Sequence, residues 1–162
     1  MDTRRLTLGE MVAGGAGIVL MVVSVIPQWG SISIEGAGFS ESTNSVGLWE
    51  PGVFGILPKL AALLGLAAVV LVLVRATGAI RSIPTASYLA LGVTATLLML
   101  MGVAVGPTLQ GGGLGLGLEE ERGPLLYAGA ILCAAILLGG WLHLRGEDTG
   151  DYGNRSAAPP PM

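Results

Sequence analysis

Residues Ile56 to Val74 read ILPKLAALLGLAAVVLVLV, with Lys59 as the one charge, close to its start. The run has no two-residue alternation, so it is not a barrel strand. A helix needs about 20 apolar residues to cross a bilayer. Its backbone groups must then bond within the segment, because hydrocarbon offers them no partner. The stretch therefore predicts a membrane helix, and the rest of the chain repeats it. Met11–Ile34, Ser82–Leu118 and Gly123–Leu144 also lack Asp, Glu, Lys and Arg. The expected spans are about Glu10–Trp29, Ile56–Val74, Thr85–Val105 and Pro124–Leu144. The fold class is an all-α membrane protein, a four-transmembrane-helix bundle over residues 1–145. Gly146–Met162 is expected to be a disordered cytoplasmic tail.

Composition agrees. Hydrophobic residues make up 52% of the 162 and charged residues 12%, about half the charge usual in a soluble domain. Mean hydropathy is +0.74. Lys59 is the only lysine, and alanine, glycine, leucine and valine dominate, a bias that suggests a GC-rich genome. The net charge of −3 and the absence of a basic patch give no reason to expect nucleic acid as a partner. Cys133 is the only cysteine, so neither an intrachain disulfide nor a cysteine-built metal site is available.

Loop charge sets the expected orientation. Arg4, Arg5, Arg75, Arg81, Arg145 and Arg155 fall on one side of the spans; Lys59 and Arg122 fall on the other. The positive-inside rule then puts both termini in the cytoplasm. The outer loops carry Glu35, Glu41, Glu50 and Glu119–Glu121. Arg4-Arg5 before an apolar run also resembles a twin-arginine export signal. Cleavage would need a small-residue site after the apolar core; Pro27-Gln28-Trp29-Gly30 stands there instead, so the arginines are read as topology determinants.

Little else is chemically distinctive. No ionisable residue falls near a span centre, where ion paths and proton relays place them. Glu10 is at the cytoplasmic edge of span one, either facing water or pairing with Arg75 or Arg81. Lys59 can snorkel to the outer interface, and His143 closes span four. Trp29, Phe39, Trp49, Phe54 and Tyr127 are expected in an outer aromatic belt, Tyr88, Trp141 and Tyr152 in an inner one. Small residues recur four apart at Ala13/Gly17, Ala61/Gly65, Gly92/Thr96, Gly102/Gly106 and Ala130/Ala134, the spacing that lets helix backbones approach. They read first as packing within the bundle and second as oligomer contacts. Gly111–Glu121, GGGLGLGLEEE, lacks the lysine of a phosphate loop and is expected to be a flexible outer loop. Its three glutamates could hold a divalent cation only weakly. Asn154-Arg155-Ser156 is an acceptor triplet on the cytoplasmic side. No catalytic, cofactor-binding or metal-ligating residue is assigned, and no enzyme activity is expected.

The longest polar insert, Val25–Gly52, reads VIPQWGSISIEGAGFSESTNSVGLWEPG. Ser31–Glu35 alternates as a short strand would, and Val46–Trp49 could return as a second. The expectation is a β-hairpin held on the outer surface by Trp29 and Trp49. Pro27 and Trp29 followed by Gly47-Leu48-Trp49 resemble the first-loop signature of the claudin and peripheral-myelin-protein-like superfamily. That resemblance implies four spans, cytoplasmic termini and a β-structured first loop. The signature runs on into two cysteines, whereas Glu50-Pro51-Gly52 follow here, so no junction-forming or ion-selective role is implied. Over more of the chain, Arg4, Arg5, Gly9, Glu10, Gly14, Gly15, Pro27 and Trp29 resemble small four-span actinobacterial integral membrane proteins of uncharacterised family. This implies a multi-pass protein of the bacterial cytoplasmic membrane. The expected partners are the lipid bilayer and a membrane protein or a second copy. The expected role is an interaction or accessory subunit using Trp29, Gly47, Leu48, Trp49 and Glu10; the alternative is a small oligomeric transport or channel component.

Overall fold

The computed structural model describes residues 6–35, 42–50, 54–79, 84, 86–105 and 117–155. It contains four helices: α1 (Leu8–Ser24), α2 (Ile56–Thr77), α3 (Ala86–Val105) and α4 (Pro124–Arg155). Three helical segments, Ile56–Thr77, Ala86–Val105 and Pro124–Arg145, are long and apolar enough to cross a membrane. With 17 residues, α1 is about 25 Å long, short of a hydrocarbon core of roughly 30 Å.

Each boundary has a local cause. Thr7 caps α1 and forms a capping box with Glu10, so the helix starts two residues before the expected span. It ends at Ser24, not at Trp29. Val25 N–H bonds to Val22 O and Ile26 N–H to Val23 O, tightening the last turn, and Pro27 cannot continue it. Gly78 closes α2 in the left-handed region at φ 73°, where glycine meets no Cβ penalty. By contrast, α4 runs on to Arg155, past the expected end of span four at Leu144. Extending a formed helix adds one bond per residue fixed, without a new nucleation cost. Residues 156–162 lie outside the described residues.

Neighbouring helices are antiparallel, in the cyclic order α1-α2-α3-α4. Glycines set the spacing. Gly139 on α4 meets α1: a Cβ there would stand 2.6 Å from Gly9 O and 2.7 Å from Ala13 N. Gly140, the next residue, meets α3, its Cβ position 2.7 Å from Leu89 N. Ala13, Gly17, Ala61, Gly65, Gly92 and Gly102 are also buried between helices, whereas Ala134 faces outward. The small-residue spacings thus serve mainly the bundle itself, by close van der Waals contact. Gly106 lies outside the described residues. Leu20, Ala95, Met99, Leu126, Cys133 and Ile136 fill the interior without exposure.

At the end opposite Thr7 sits an antiparallel sheet, order β2-β1-β3, made of β1 (Gly30–Glu35), β2 (Ser42–Val46) and β3 (Gly117–Arg122). The hairpin of the first loop is present, but its second strand stops at Val46. Glu50 Oε1 accepts from Gly47 N–H at 3.1 Å and Glu50 N–H bonds to Gly47 O at 3.3 Å, turning Gly47–Glu50 out of the sheet. β3 falls in the glycine-rich segment expected to be a flexible loop. It completes the second edge of β1, with Gly30 opposite Arg122, and Gly123 N–H bonds to Trp29 O at 2.9 Å. Strand formation here follows from an available partner edge more than from intrinsic propensity. Residues 111–116 lie outside the described residues.

Two glycine substitutions separate packing from propensity. Gly140→Ala puts a methyl into the α3 backbone and is expected to cost about 1–3 kcal/mol. Gly15→Ala, whose Cβ meets nothing within 4 Å, is expected to stabilise by about 0.5–1 kcal/mol through helix propensity. Unfolding midpoints in detergent check both.

Candidate functional site

The buried polar side chains gather at the two ends of α1. At its N-terminus the first turn leaves orphan N–H groups. Glu10 N–H donates to Thr7 Oγ1 at 3.3 Å, and Thr7 N–H donates to Glu10 Oε2 at 2.8 Å. The capping carboxylate is fully buried, which is costly for a charge without a partner. Arg75, in the last turn of α2, supplies one: its Nε stands 2.9 Å from Glu10 Oε1. Arg75 is 20% exposed and Glu10 0%. The Glu10–Arg75 pairing considered from sequence is thus present, and Glu10 does not face water. Arg81 lies outside the described residues.

His143 of α4 and Tyr88 of α3, both fully buried, join the cluster. Thr7 Oγ1 is 2.9 Å from His143 Nδ1, Arg75 Nη1 is 3.5 Å from His143 Nε2, and the Tyr88 ring meets the imidazole edge-on at 5.3 Å. The donor inventory orders these contacts. A guanidinium only donates, so Nε2 accepts. The ring proton then sits on Nδ1 and goes to Thr7 Oγ1, whose own hydrogen goes to Glu10 Oε2 at 3.2 Å. A ring of contacts results, Arg75 to His143 to Thr7 to Glu10 and back to Arg75. Glu10 Oε1 and the Tyr88 hydroxyl are the buried side-chain atoms without a hydrogen bond among the described residues. Oε1 is held by the ion pair with Arg75.

Both tryptophans serve the other end of α1. Trp29 Nε1–H donates to Val23 O at 3.1 Å, and its backbone N–H bonds to Val46 O at 3.0 Å. Trp49 Nε1–H donates to Ser24 Oγ at 3.2 Å, while Ser24 Oγ–H bonds to Met21 O at 2.8 Å. In the last turn, Val23 O is thus met by a loop side chain and Met21 O by the helix's own Ser24, whose hydroxyl Trp49 in turn contacts. Trp29 is fully buried, against the belt expectation, and so are Tyr88 and, nearly, Phe54. Trp49, Tyr127 and Trp141 do stand 42%, 48% and 41% exposed, and Arg145 lies 4.0 Å over the Trp141 ring. Phe39 lies outside the described residues. Of the loop residues singled out from sequence, Trp29 and Leu48 are buried and Gly47 and Trp49 reach the surface.

The sequence reading missed His143 and Tyr88 as members of the cluster. Helical spacing holds a signal for each: His143 follows Gly139 by four residues and Tyr88 precedes Gly92 by four, so both share a face with a close-packing glycine. At the sheet end an open cleft of about 200 Å³ is lined by residues including Gln28, Ser31, Ser45 and Arg122. The Arg122 guanidinium donates to Ala104 O at 3.2 Å. Among the described residues no group of three or more His, Cys, Asp or Glu could hold a metal ion. No protein-family model matches the chain, and no curated protein does.

Removing Glu10 tests the ion pair. Glu10→Gln is expected to destabilise by less than the roughly 3–5 kcal/mol of breaking a fully buried pair, because Arg75 can reach solvent. In a cycle with Arg75→Gln, the double variant is expected to lose less than the sum of the singles; additive losses would show that the two side chains are uncoupled. At the other end, Trp49→Ala is expected to increase proteolysis of the first loop, and unchanged cleavage would remove its anchoring role.

Proposed function

We propose that this chain is a non-enzymatic, multi-pass protein of the bacterial cytoplasmic membrane, with both termini inside. It acts as an accessory subunit for a membrane protein or for a second copy of itself. The observation that carries this reading is the apolar interior. Leu20, Ala95, Met99, Cys133 and Ile136 are fully buried between the two polar ends, and glycines bring neighbouring helices into backbone contact. A single bundle so filled gives a solute no polar path. Among the described residues, the buried polar side chains Glu10, Ser24 and His143 lie at the two ends of the bundle.

What remains for a partner is the outer loop, where Trp49 is part-exposed beside a buried Leu48. Aromatic residues on a rigid support are frequent centres of interfaces. The orientation draws on the arginine bias: Arg75 and Arg145 share the end with His143, whereas Lys59 and Arg122 lie near the sheet.

Mild-detergent purification of the full chain, followed by crosslinking and mass measurement, tests this. The expected result is a stoichiometric membrane protein, or a defined homo-oligomer, that is lost on Trp49→Ala. A monomer without partner in several detergents overturns the reading. So would ion or solute flux in liposomes that disappears when Ala61 and Gly65 are replaced by leucine, which would favour the oligomeric channel.

A further inference from the structure

We propose that the cleft at the sheet end receives the phosphate of a zwitterionic membrane phospholipid, with Arg122 as the cation that meets it. The proposal rests on the membrane reading of the helices and goes beyond the accessory-subunit role.

The cleft, of about 200 Å³, opens between the start of β1 and the start of α4, and its polar side chains are those of Gln28, Ser31, Ser45 and Arg122. Its back is fixed by the fold. Gly123 N–H bonds to Trp29 O at 2.9 Å, and a Cβ on Gly123 would stand 2.6 Å from Trp29 C, so strand and helix meet backbone to backbone. Arg122 is steadied from α3, its Nη2 donating to Ala104 O at 3.2 Å. A guanidinium carries five N–H donors, and the others here have no hydrogen-bond partner among the described residues. The side chains of Gln28, Ser31 and Ser45 make no hydrogen bond among the described residues either. A phosphodiester oxygen accepts from each of these groups, and its geometry suits the planar fork of an arginine.

Depth points to a lipid. Ala104 is in the last turn of α3 and Pro124 is the first residue of α4. Both segments are long and apolar enough to cross a membrane, so the cleft sits where they leave the hydrocarbon, at the level of the headgroups. On the bundle side of the cleft, Val105 of α3 and Tyr127 and Ile131 of α4 are exposed, giving acyl chains an apolar surface.

Charge selects the headgroup. Arg122 ends a strand that carries Glu119, Glu120 and Glu121, and Glu121 is the register partner of Ser31. A headgroup that is only negative is repelled by this strand, whereas a phosphodiester with its own ammonium has no net charge to be repelled. Lys59, the other cation assigned to this end, is engaged elsewhere: its Nζ donates to Glu50 O at 3.2 Å.

Native mass spectrometry of the full chain, released from vesicles of phosphatidylethanolamine and phosphatidylglycerol in equal parts, tests the site. The expected result is one retained phosphatidylethanolamine, with retention falling about tenfold in Arg122→Gln and unchanged in Lys59→Gln. Equal retention in Arg122→Gln, or phosphatidylglycerol held as well as phosphatidylethanolamine, overturns the proposal. So does displacement of the lipid by inorganic phosphate, which would mark a site for a soluble anion. A second measurement needs no variant. Phosphatidylethanolamine with a photoreactive group at the top of one acyl chain is expected to label Val105 and Tyr127 of the wild type, and labelling spread over all four helices overturns the site. Resistance to carbonate extraction reports insertion separately: a chain that does not insert overturns the membrane reading and the site together, whereas an inserted chain without selective retention overturns the site alone.

Discussion

A helix end inside or beside hydrocarbon has no water to satisfy its free N–H and C=O groups. In this protein that constraint falls hardest on α1, the shortest of the four helices. Its N-terminus is closed by its own capping box, around which side chains of the other helices gather, and its C-terminus is met by side chains of the first loop. Thr7 and Glu10 close the N-terminus, and Arg75, Tyr88 and His143 gather around them from α2, α3 and α4. At the C-terminus, Trp29 and Trp49 reach back from the first loop to Val23 O and Ser24 Oγ. The second strand and α4 are then tied to Trp29 through its own backbone N–H and C=O. The buried polar contacts of the described residues are thus largely the completion of one short helix.

Between those ends the bundle relies on shape. Lipid tails are as apolar as leucine, so burial alone gives little preference for helix over lipid; packing has to supply it. Gly139 and Gly140 do this for α4 on two sides, admitting α1 to one and α3 to the other. Gly9 brings the α1 backbone against His143 as well as Gly139. The depth at which His143 meets Thr7 is therefore set by the same close approach that holds the helices together. Packing and the polar cluster are two consequences of one helix spacing.

The helices were legible in the sequence because each is an uninterrupted apolar run, and the hairpin because Ser31–Glu35 alternates. Their limits were less so. Pro27 ended α1 earlier than its hydropathy suggested, since Val25 to Trp29 is apolar enough to pass for a span. β3 was hidden, as glycines and glutamates carry no strand signal; the free edge of β1 that recruits them is a property of the fold. The Glu10–Arg75 pair was open to sequence reasoning because opposite charges sat at matching ends of neighbouring spans. His143 and Tyr88 each looked like span-end residues, and their burial depends on helix rotation. Trp29 and Tyr88 show the same limit: an aromatic near an interface can face lipid or core, and hydropathy does not separate the two.

Arg75 is used twice under this reading. In the proposed orientation it counts among the cytoplasmic arginines that set topology. In the folded bundle it neutralises Glu10 and is largely withdrawn from the surface. The two uses do not conflict, because they belong to different stages. Orientation is decided as spans enter the membrane, before α1 and α2 have packed, and carboxylates contribute little to that bias. Only after the helices meet does Glu10 acquire its partner. A lysine in the same place would serve the first purpose, but as a point charge it lacks the separate Nε and Nη1 donors that here reach Glu10 and His143 from one planar group. The choice of arginine is therefore explained by the cluster and not by topology.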